Sequence, residues 1–197
     1  MNGEENPFCA RRIRPGAVPF LFAPGHCVEQ LVEKLKQAKW WGQIVGPHGS
    51  GKSALLAALV PAIERAGRKV LSIELHNGQR RLPAGVLDAI GPPGGSLLAV
   101  DGYEQLGPWH RMELKRSCRR QRHGLLVTSH RPAGLPDLYR PTVEIALAWR
   151  VVEQLQEGHR ALVSQRDVAA LLKKHSGDLR ETLFALYDLY AEQAAIT

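Results

Sequence analysis

The feature that most constrains the fold is a glycine-rich segment between an apolar run and an apolar helical pattern. Residues 46–53 read GPHGSGKS and satisfy the pattern GxxxxGK[ST]. Glycines let such a loop turn tightly and bring backbone N–H groups against phosphate oxygens, while the following helix directs its positive dipole end at the same anion. The segment predicts a phosphate-binding loop. Its expected ligand-binding residues are Gly46, Pro47, His48, Gly49, Ser50, Gly51, Lys52, Ser53 and Ala54.

Two side chains of this loop have expected roles. The Lys52 ammonium would neutralise the β- and γ-phosphates of ATP, and the Ser53 hydroxyl would ligate Mg²⁺. His48 stands at a position where the pattern accepts any residue, so we interpret it as part of the loop and not as a catalyst. The alternative for the whole segment is a glycine-rich turn that only packs.

The remaining pattern alternates apolar strands with amphipathic helices, which is typical of a parallel sheet. The predicted strands are 40–45, 69–75, 96–102, 124–130 and 142–148. The predicted helices are 27–39, 51–66, 108–122, 149–157, 165–175 and 178–194. We therefore expect an α/β/α three-layer core with a mostly parallel five-stranded sheet. The expected organisation is an N-terminal arm (1–26), a nucleotide-binding core (27–148) and a small helical lid (149–197).

Composition limits the class of protein. The chain has 197 residues, of which 44% are hydrophobic and 23% charged. These fractions fit one well-buried domain with a small appendage and exclude disordered, collagen-like and coiled-coil chains. Apolar runs are shorter than the roughly 18 residues that cross a bilayer, and the first residues resemble no secretory signal. The widely spaced Cys9, Cys27 and Cys118 indicate free thiols in a reducing cytoplasm.

Polar residues follow the third and fourth predicted strands. Asp101 ends LLAV, where a carboxylate would face the phosphates and hold Mg²⁺, although a turn-forming role is the alternative. The next residue is Gly102, so Glu104 is the nearest candidate for the base that polarises water, or else an ordinary surface residue. The fourth strand ends in Thr128, Ser129 and His130, which would bind the γ-phosphate or form a simple turn.

The segments GPHGSGKSALL, LLAVDGYEQL and LLVTSHRP, followed by a helical tail, resemble the AAA+ ATPases and their STAND/NACHT relatives among the P-loop NTPases. The resemblance implies that Thr128 or Ser129 is the sensor-1 residue. It implies that Arg140 is an arginine finger for a nucleotide on a neighbouring subunit of a homo-oligomer, and that Arg180, in GDLR, is the sensor-2 arginine. It also implies that residues 7–24 enclose the adenine. The chain departs from the AAA+ pattern at Gly102, where a glutamate is usual.

A basic segment at 115–123 is the remaining charged feature, in a chain of formal net charge +7. It is either the solvated face of a helix, a contact to nucleic acid phosphates, or a subunit contact. Within the segment no aromatic residue alternates with the charges, so a stacking platform for single strands is not expected.

Three functions fit these patterns. The first is an ATP-hydrolysing AAA+-like protein that acts as a nucleotide-dependent conformational switch, with Lys52, Asp101, Glu104, Thr128, Arg140 and Arg180 as its catalytic residues. The second is a regulatory or scaffold module that binds nucleotide with little or no hydrolysis, which Gly102 favours. The third is a small-molecule P-loop kinase.

Overall fold

The computed structural model describes residues 6–14, 17, 20–22 and 25–196, with no side chain described for residue 196. Its strands are β1 (Trp41–Val45), β2 (Lys69–Glu74), β3 (Ser96–Asp101), β4 (Gly124–Ser129) and β5 (Asp137–Tyr139). Its helices are α1 (Ala10–Ile13), α2 (Val28–Gln37), α3 (Lys52–Arg65), α4 (Val86–Ala89), α5 (Pro108–Arg120), α6 (Ile145–Gln156), α7 (Gln165–Lys174) and α8 (Leu179–Ile196). A 3₁₀ turn, Tyr103–Gln105, follows β3.

The five strands form one sheet in the order β2-β3-β4-β1-β5. Every strand pair is parallel, so all the strands end at one edge of the sheet. β3 and β4 lie inside the sheet and are apolar along nearly their whole length, as strands covered on both faces are. The prediction of an α/β fold with a five-stranded parallel sheet is confirmed.

The chain divides into two compact units. The sheet unit is Pro24–Gly46 and Leu55–Pro141, and the helical unit takes the described residues of Met1–Ala23, Pro47–Ala54 and Thr142–Thr197. In the sheet unit, one apolar core joins α5 to β3 and β4 through residues such as Leu114, Cys118 and Leu125. In the helical unit, Phe8 and Tyr190 pack edge to face with ring centroids 5.9 Å apart, among apolar residues of α6, α7 and α8.

The prediction of a strand at 142–148 is wrong. The fifth strand is the shorter β5, and α6 already begins at Ile145, with Glu144 as its N-cap. The apolar alternation in TVEIALA resembles a strand only when it is read alone. Ala148, Val151, Val152 and Leu155 follow at helical spacing and are buried, so tertiary packing selects the helix.

Residues 7–24, expected to cover an adenine, lie partly outside the described residues. Among those described, Phe8 is buried in the core of the helical unit and α1 is a single short turn. Among the described residues, none of the helices combines the length and apolarity needed to cross a bilayer.

Candidate functional site

The glycine-rich loop begins directly after β1 and leads into α3 at Lys52. Gly49 and Gly51 have φ angles of +63° and +86°, a region that residues with a Cβ avoid. The Ser50 hydroxyl donates to the Pro47 carbonyl at 3.0 Å. The Lys52 ammonium donates to the same carbonyl at 2.6 Å and is only 8% exposed. The loop is thus closed on itself, with the lysine folded back over it.

Other parts of the helical unit contact this loop. A Cβ built on Gly51 would lie 3.2 Å from the ring of Phe20, and one built on Gly49 would lie 1.8 Å from Oδ1 of Asp178. Asp178 caps α8, because the same Oδ1 accepts from the Glu181 N–H at 3.0 Å. A carboxylate from the start of the last helix therefore rests against the backbone of the loop. No pattern in the sequence predicts this contact of Asp178 with the loop, although Asp178 lies close to Arg180 along the chain.

Arg180 also lies in the helical unit, where it is exposed and its guanidinium stands 5.8 Å from the centre of the Phe184 ring. His48 is exposed, whereas Ser53 and Ala54 are half-buried in the first turn of α3. The expected roles of these residues remain predictions.

In the sheet unit, Asp101 is the last residue of β3 and Thr128 lies near the end of the adjacent β4. The Thr128 hydroxyl donates to Oδ1 of Asp101 and accepts from the Gly102 N–H at 3.0 Å. Thr128 is 1% exposed, so this contact is shielded from solvent. The hydroxyl therefore fixes the orientation of the carboxylate at the carboxyl edge of the sheet.

Glu104 lies in the 3₁₀ turn that follows Gly102. Its Oε1 is 2.8 Å from Nε2 of His130, the residue that follows β4. Its Oε2 is buried and has no hydrogen-bond partner within the described part of the chain. Arg111 donates to the Glu104 carbonyl at 2.6 Å and to the Leu106 carbonyl at 2.7 Å, which holds the turn in place.

His130 connects this turn to the beginning of the loop. Its Nδ1 is 3.3 Å from the carbonyl oxygen of Gly46, and the Gly46 N–H donates to the Ser129 carbonyl. Both ring nitrogens face oxygen acceptors, so the ring donates to both only when both nitrogens carry a proton. The sequence did not predict the pairing of Glu104 with His130. The feature of the sequence that could have indicated it is the polar end of the fourth strand.

Arg140 follows β5 and is exposed. Its Nη2 and Nε donate to Oδ2 of Asp137 at 2.7 and 3.1 Å. The Gln43 amide donates to the other carboxylate oxygen of Asp137 at 2.6 Å. The hydrogen bond from Gln43, and then those from Arg140, lower the pKa of Asp137. Arg140, the expected arginine finger, is therefore paired within its own chain. It follows the last strand of the sheet, whereas the sequence placed it before that strand.

The sheet order sets the spacing of these groups. β4 lies between β3 and β1, so the ends of β3, at Asp101, and of β1, before Gly46, are two strand intervals apart. At about 4.8 Å per interval this is roughly 10 Å.

Within the described residues, no group of three His, Cys, Asp or Glu side chains is arranged to hold a metal ion.

No protein-family model matches the chain. No curated protein matches it either. Solved structures do match it. A point mutant of RuvB from Thermotoga maritima superposes with a TM-score of 0.55 at 14% identity, over 79% of this chain and 58% of that one. NtrX of Brucella abortus in complex with ATP superposes with a TM-score of 0.58 at 14% identity, over 88% of this chain and 50% of that one.

The chain shares the fold of RuvB and of NtrX. The NtrX complex with ADP agrees, with a TM-score of 0.57 at 15% identity. At such identity the likeness concerns the fold alone, and the chain spans about half the length of the structures it matches. It confirms the resemblance in architecture that the sequence motifs predicted.

Proposed function

We propose that the chain binds Mg-ATP at its glycine-rich loop and hydrolyses it as a nucleotide-dependent switch. The proposal is supported by the AAA+ fold, by NtrX neighbours described with bound ADP and ATP, and by the loop itself. The loop amides and Lys52 would bind the phosphates. Lys52 has to leave the Pro47 carbonyl to do so, and the stronger charge-assisted contact to phosphate favours that exchange.

Magnesium fits the donors that the chain offers. Mg²⁺ in nucleotide sites is commonly held by one or two protein oxygens together with phosphate oxygens and water. The Ser53 hydroxyl and the Asp101 carboxylate are such donors, and Thr128 orients that carboxylate. When bound, the ion neutralises charge on the phosphates.

The observation that best supports hydrolysis is the contact between Glu104 and His130. Glu104 has one oxygen bound to His130 and a second that is buried without a partner within the described residues. An oxygen in that state accepts a hydrogen bond from water readily, because a buried acceptor left unpaired is unfavourable. Glu104 would take the proton of the attacking water, and Thr128 and Arg180 would respond to the γ-phosphate.

The test is phosphate release from ATP by the native chain, Lys52→Ala and Glu104→Gln. We expect Glu104→Gln to lose about 100-fold or more of the turnover, as general-base loss typically gives. Lys52→Ala should lose turnover as well, because it removes the charge that binds the phosphates. Calorimetry separates them, since Glu104→Gln retains Mg-ATP binding and Lys52→Ala loses it. Lys36→Ala, which removes an exposed lysine on α2, is the control and keeps both properties. Equal rates for the native chain and Lys52→Ala would refute the proposal.

A nucleotide-binding regulator with little hydrolysis is the second candidate. The observation that favours it is Gly102, which leaves no carboxylate directly after Asp101. Tight Mg-ATP binding without phosphate release, for the native chain and Glu104→Gln alike, would select it.

A homo-oligomer is also part of the proposal, with Arg140 reaching a nucleotide on a neighbouring copy. It requires Arg140 to exchange Asp137 for phosphate. Light scattering with and without Mg-ATP tests this, because nucleotide-dependent assembly that Arg140→Ala abolishes would support it. A monomer under both conditions would contradict it.

A further inference from the structure

Basic side chains collect where the strands of the sheet begin, the edge opposite Asp101 and Glu104. We call this surface the amino edge. It is formed by residues that precede or begin strands β1, β2 and β4, or that end α5. They are Lys39, Arg68, Lys69, Arg119, Arg120 and Arg122. Arg68 is half-buried and the other five are exposed.

Two tryptophans hold two of these arginines. The Arg68 guanidinium stands 4.8 Å from the centre of the Trp40 ring, and that of Arg119 stands 5.1 Å from the centre of the Trp41 ring. Arg68 also reaches the Ser96 carbonyl, at the first residue of β3, at 3.5 Å. The expectation that no aromatic residue accompanies the basic segment holds only along the sequence. In the fold, the first residue of β1, Trp41, lies against Arg119 of that segment.

The backbone at this edge is unusual. The described non-glycine residues with positive φ are Lys39 (55°), Trp40 (66°), Arg122 (57°) and Ser176 (54°). Lys39 and Arg122 belong to the amino edge, and Trp40 directly follows Lys39. Lys39 and Arg122 each follow the C-cap of a helix, where glycine is the usual residue. Strained backbone of this kind concentrates at functional sites.

Charge is divided between the two edges of the sheet. Carboxylates end β2 and β3, at Glu74 and Asp101, whereas the bases stand where strands begin. Burial, and after it the charge of Arg68, lowers the pKa of His123, which adjoins the start of β4. Arg120, Arg122 and Lys69 have no ion-pair partner within the described residues. Glu64 and Arg65 are adjacent in the last turn of α3, and together they add no net charge.

We propose that the amino edge binds the phosphate backbone of nucleic acid. From β2 to β1 the edge spans three strand intervals, about 14 Å, so its basic side chains can contact more than one phosphate of the same strand. Arginines outnumber lysines there, and guanidinium groups bind phosphate in bidentate fashion. The tryptophans hold Arg68 and Arg119 in place, so less side-chain entropy is lost on binding.

Nucleic acid fits this edge better than a membrane surface does. Among the described residues, the exposed large apolar side chains are Trp109, in the first turn of α5, and Ile145, Phe184 and Tyr187, in the helical unit. None belongs to the amino edge, so the edge offers charge without an apolar insertion. The inference does not depend on ATP binding and is tested without nucleotide.

The test is the double variant Lys39→Gly/Arg122→Gly, which removes two charges and also relieves two positive-φ residues. Its melting temperature should equal or exceed the native one, so lost binding is not lost folding. Binding is measured by fluorescence anisotropy, with labelled single-stranded and duplex oligonucleotides, between about 50 and 200 mM salt. Arg150→Gln/Lys173→Gln removes two exposed charges from the helical unit as the matched control.

The native chain should bind the single strand with a steep salt dependence. The double variant should lower the slope of log K against log salt by about 1.4, which corresponds to about 25-fold weaker binding at about 0.1 M salt. The control should change binding by less than about threefold. Absence of oligonucleotide binding by the native chain, or equal losses in the two variants, would overturn the proposal. Native binding to phosphatidylserine vesicles without binding to either oligonucleotide would overturn it as well.

Discussion

Gly102 is the position where the chain departs from the Asp-Glu pattern of AAA+ proteins, and its geometry explains the departure. Its φ angle is +78°, and a Cβ placed on it would lie 2.7 Å from the backbone carbonyl oxygen of Leu75. The Leu75 N–H donates to the Asp101 carbonyl at 2.9 Å, so the two chain segments are held together there. No side chain fits at residue 102, and the next carboxylate along the chain stands two residues later, at Glu104.

The substitution Gly102→Ala measures what a side chain at this position costs in stability. The left-handed backbone costs an L-residue about 1–2 kcal/mol, and forcing a methyl group against packed atoms costs about 1–3 kcal/mol more. Alanine also restricts the unfolded chain more than glycine does, which stabilises the folded state by about 0.4–1 kcal/mol. We expect the free energy of unfolding to fall by about 2–4 kcal/mol.

Gly67→Ala is the matched control. Gly67 follows α3 in the same unit with φ +88°, and a Cβ there meets nothing within 4 Å. Gly67→Ala has the cost of the left-handed backbone but no steric overlap, so we expect the free energy of unfolding to fall by about 1 kcal/mol or less. Urea unfolding followed by tryptophan fluorescence measures both free energies. A loss for Gly102→Ala no greater than that for Gly67→Ala would refute the overlap, and with it the reason that glutamate is absent from this position.

Two further predictions concern the sheet unit. His130→Ala should lower kcat for ATP about tenfold with little change in KM, because Glu104 loses its hydrogen-bond partner. His130→Asn should restore part of the rate. A rise in KM with unchanged kcat would contradict a positioning role for His130. Burial raises the pKa of the Cys118 thiol to about 11, so at about pH 8 only about one molecule in a thousand carries the thiolate. A thiol reagent at that pH should therefore modify Cys9 and Cys27 first and Cys118 only in denaturant, as mass spectrometry of timed samples would show; rapid native labelling of Cys118 would contradict its burial.

The sequence predicts this fold well where one local pattern decides the structure. The phosphate-loop pattern and the apolar runs of β3 and β4 need no distant partner to be recognised. The failure at residues 142–148 has the opposite cause, because the burial of Val151 and Leu155 lies beyond the segment that was read as a strand.

The candidate site is predictable only in part, for a related reason. Glu104 and His130 are separated by a helix and a strand, and their 2.8 Å contact depends on the turn that Gly102 makes. Trp40 and Arg68 meet only because their segments precede strands of one parallel sheet. Spacing along a chain predicts a loop that binds by its own backbone, but not a pair of side chains that meet across a sheet.

The contact of Asp178 with Gly49 links two distant parts of the chain. Oδ1 of Asp178 stands where a side chain at residue 49 would begin, and the same oxygen caps α8. A mutation at either position therefore changes the surroundings of the other. An engineer who grafts this loop onto another scaffold, or exchanges its terminal helices for those of a homologue, has to transfer both residues together.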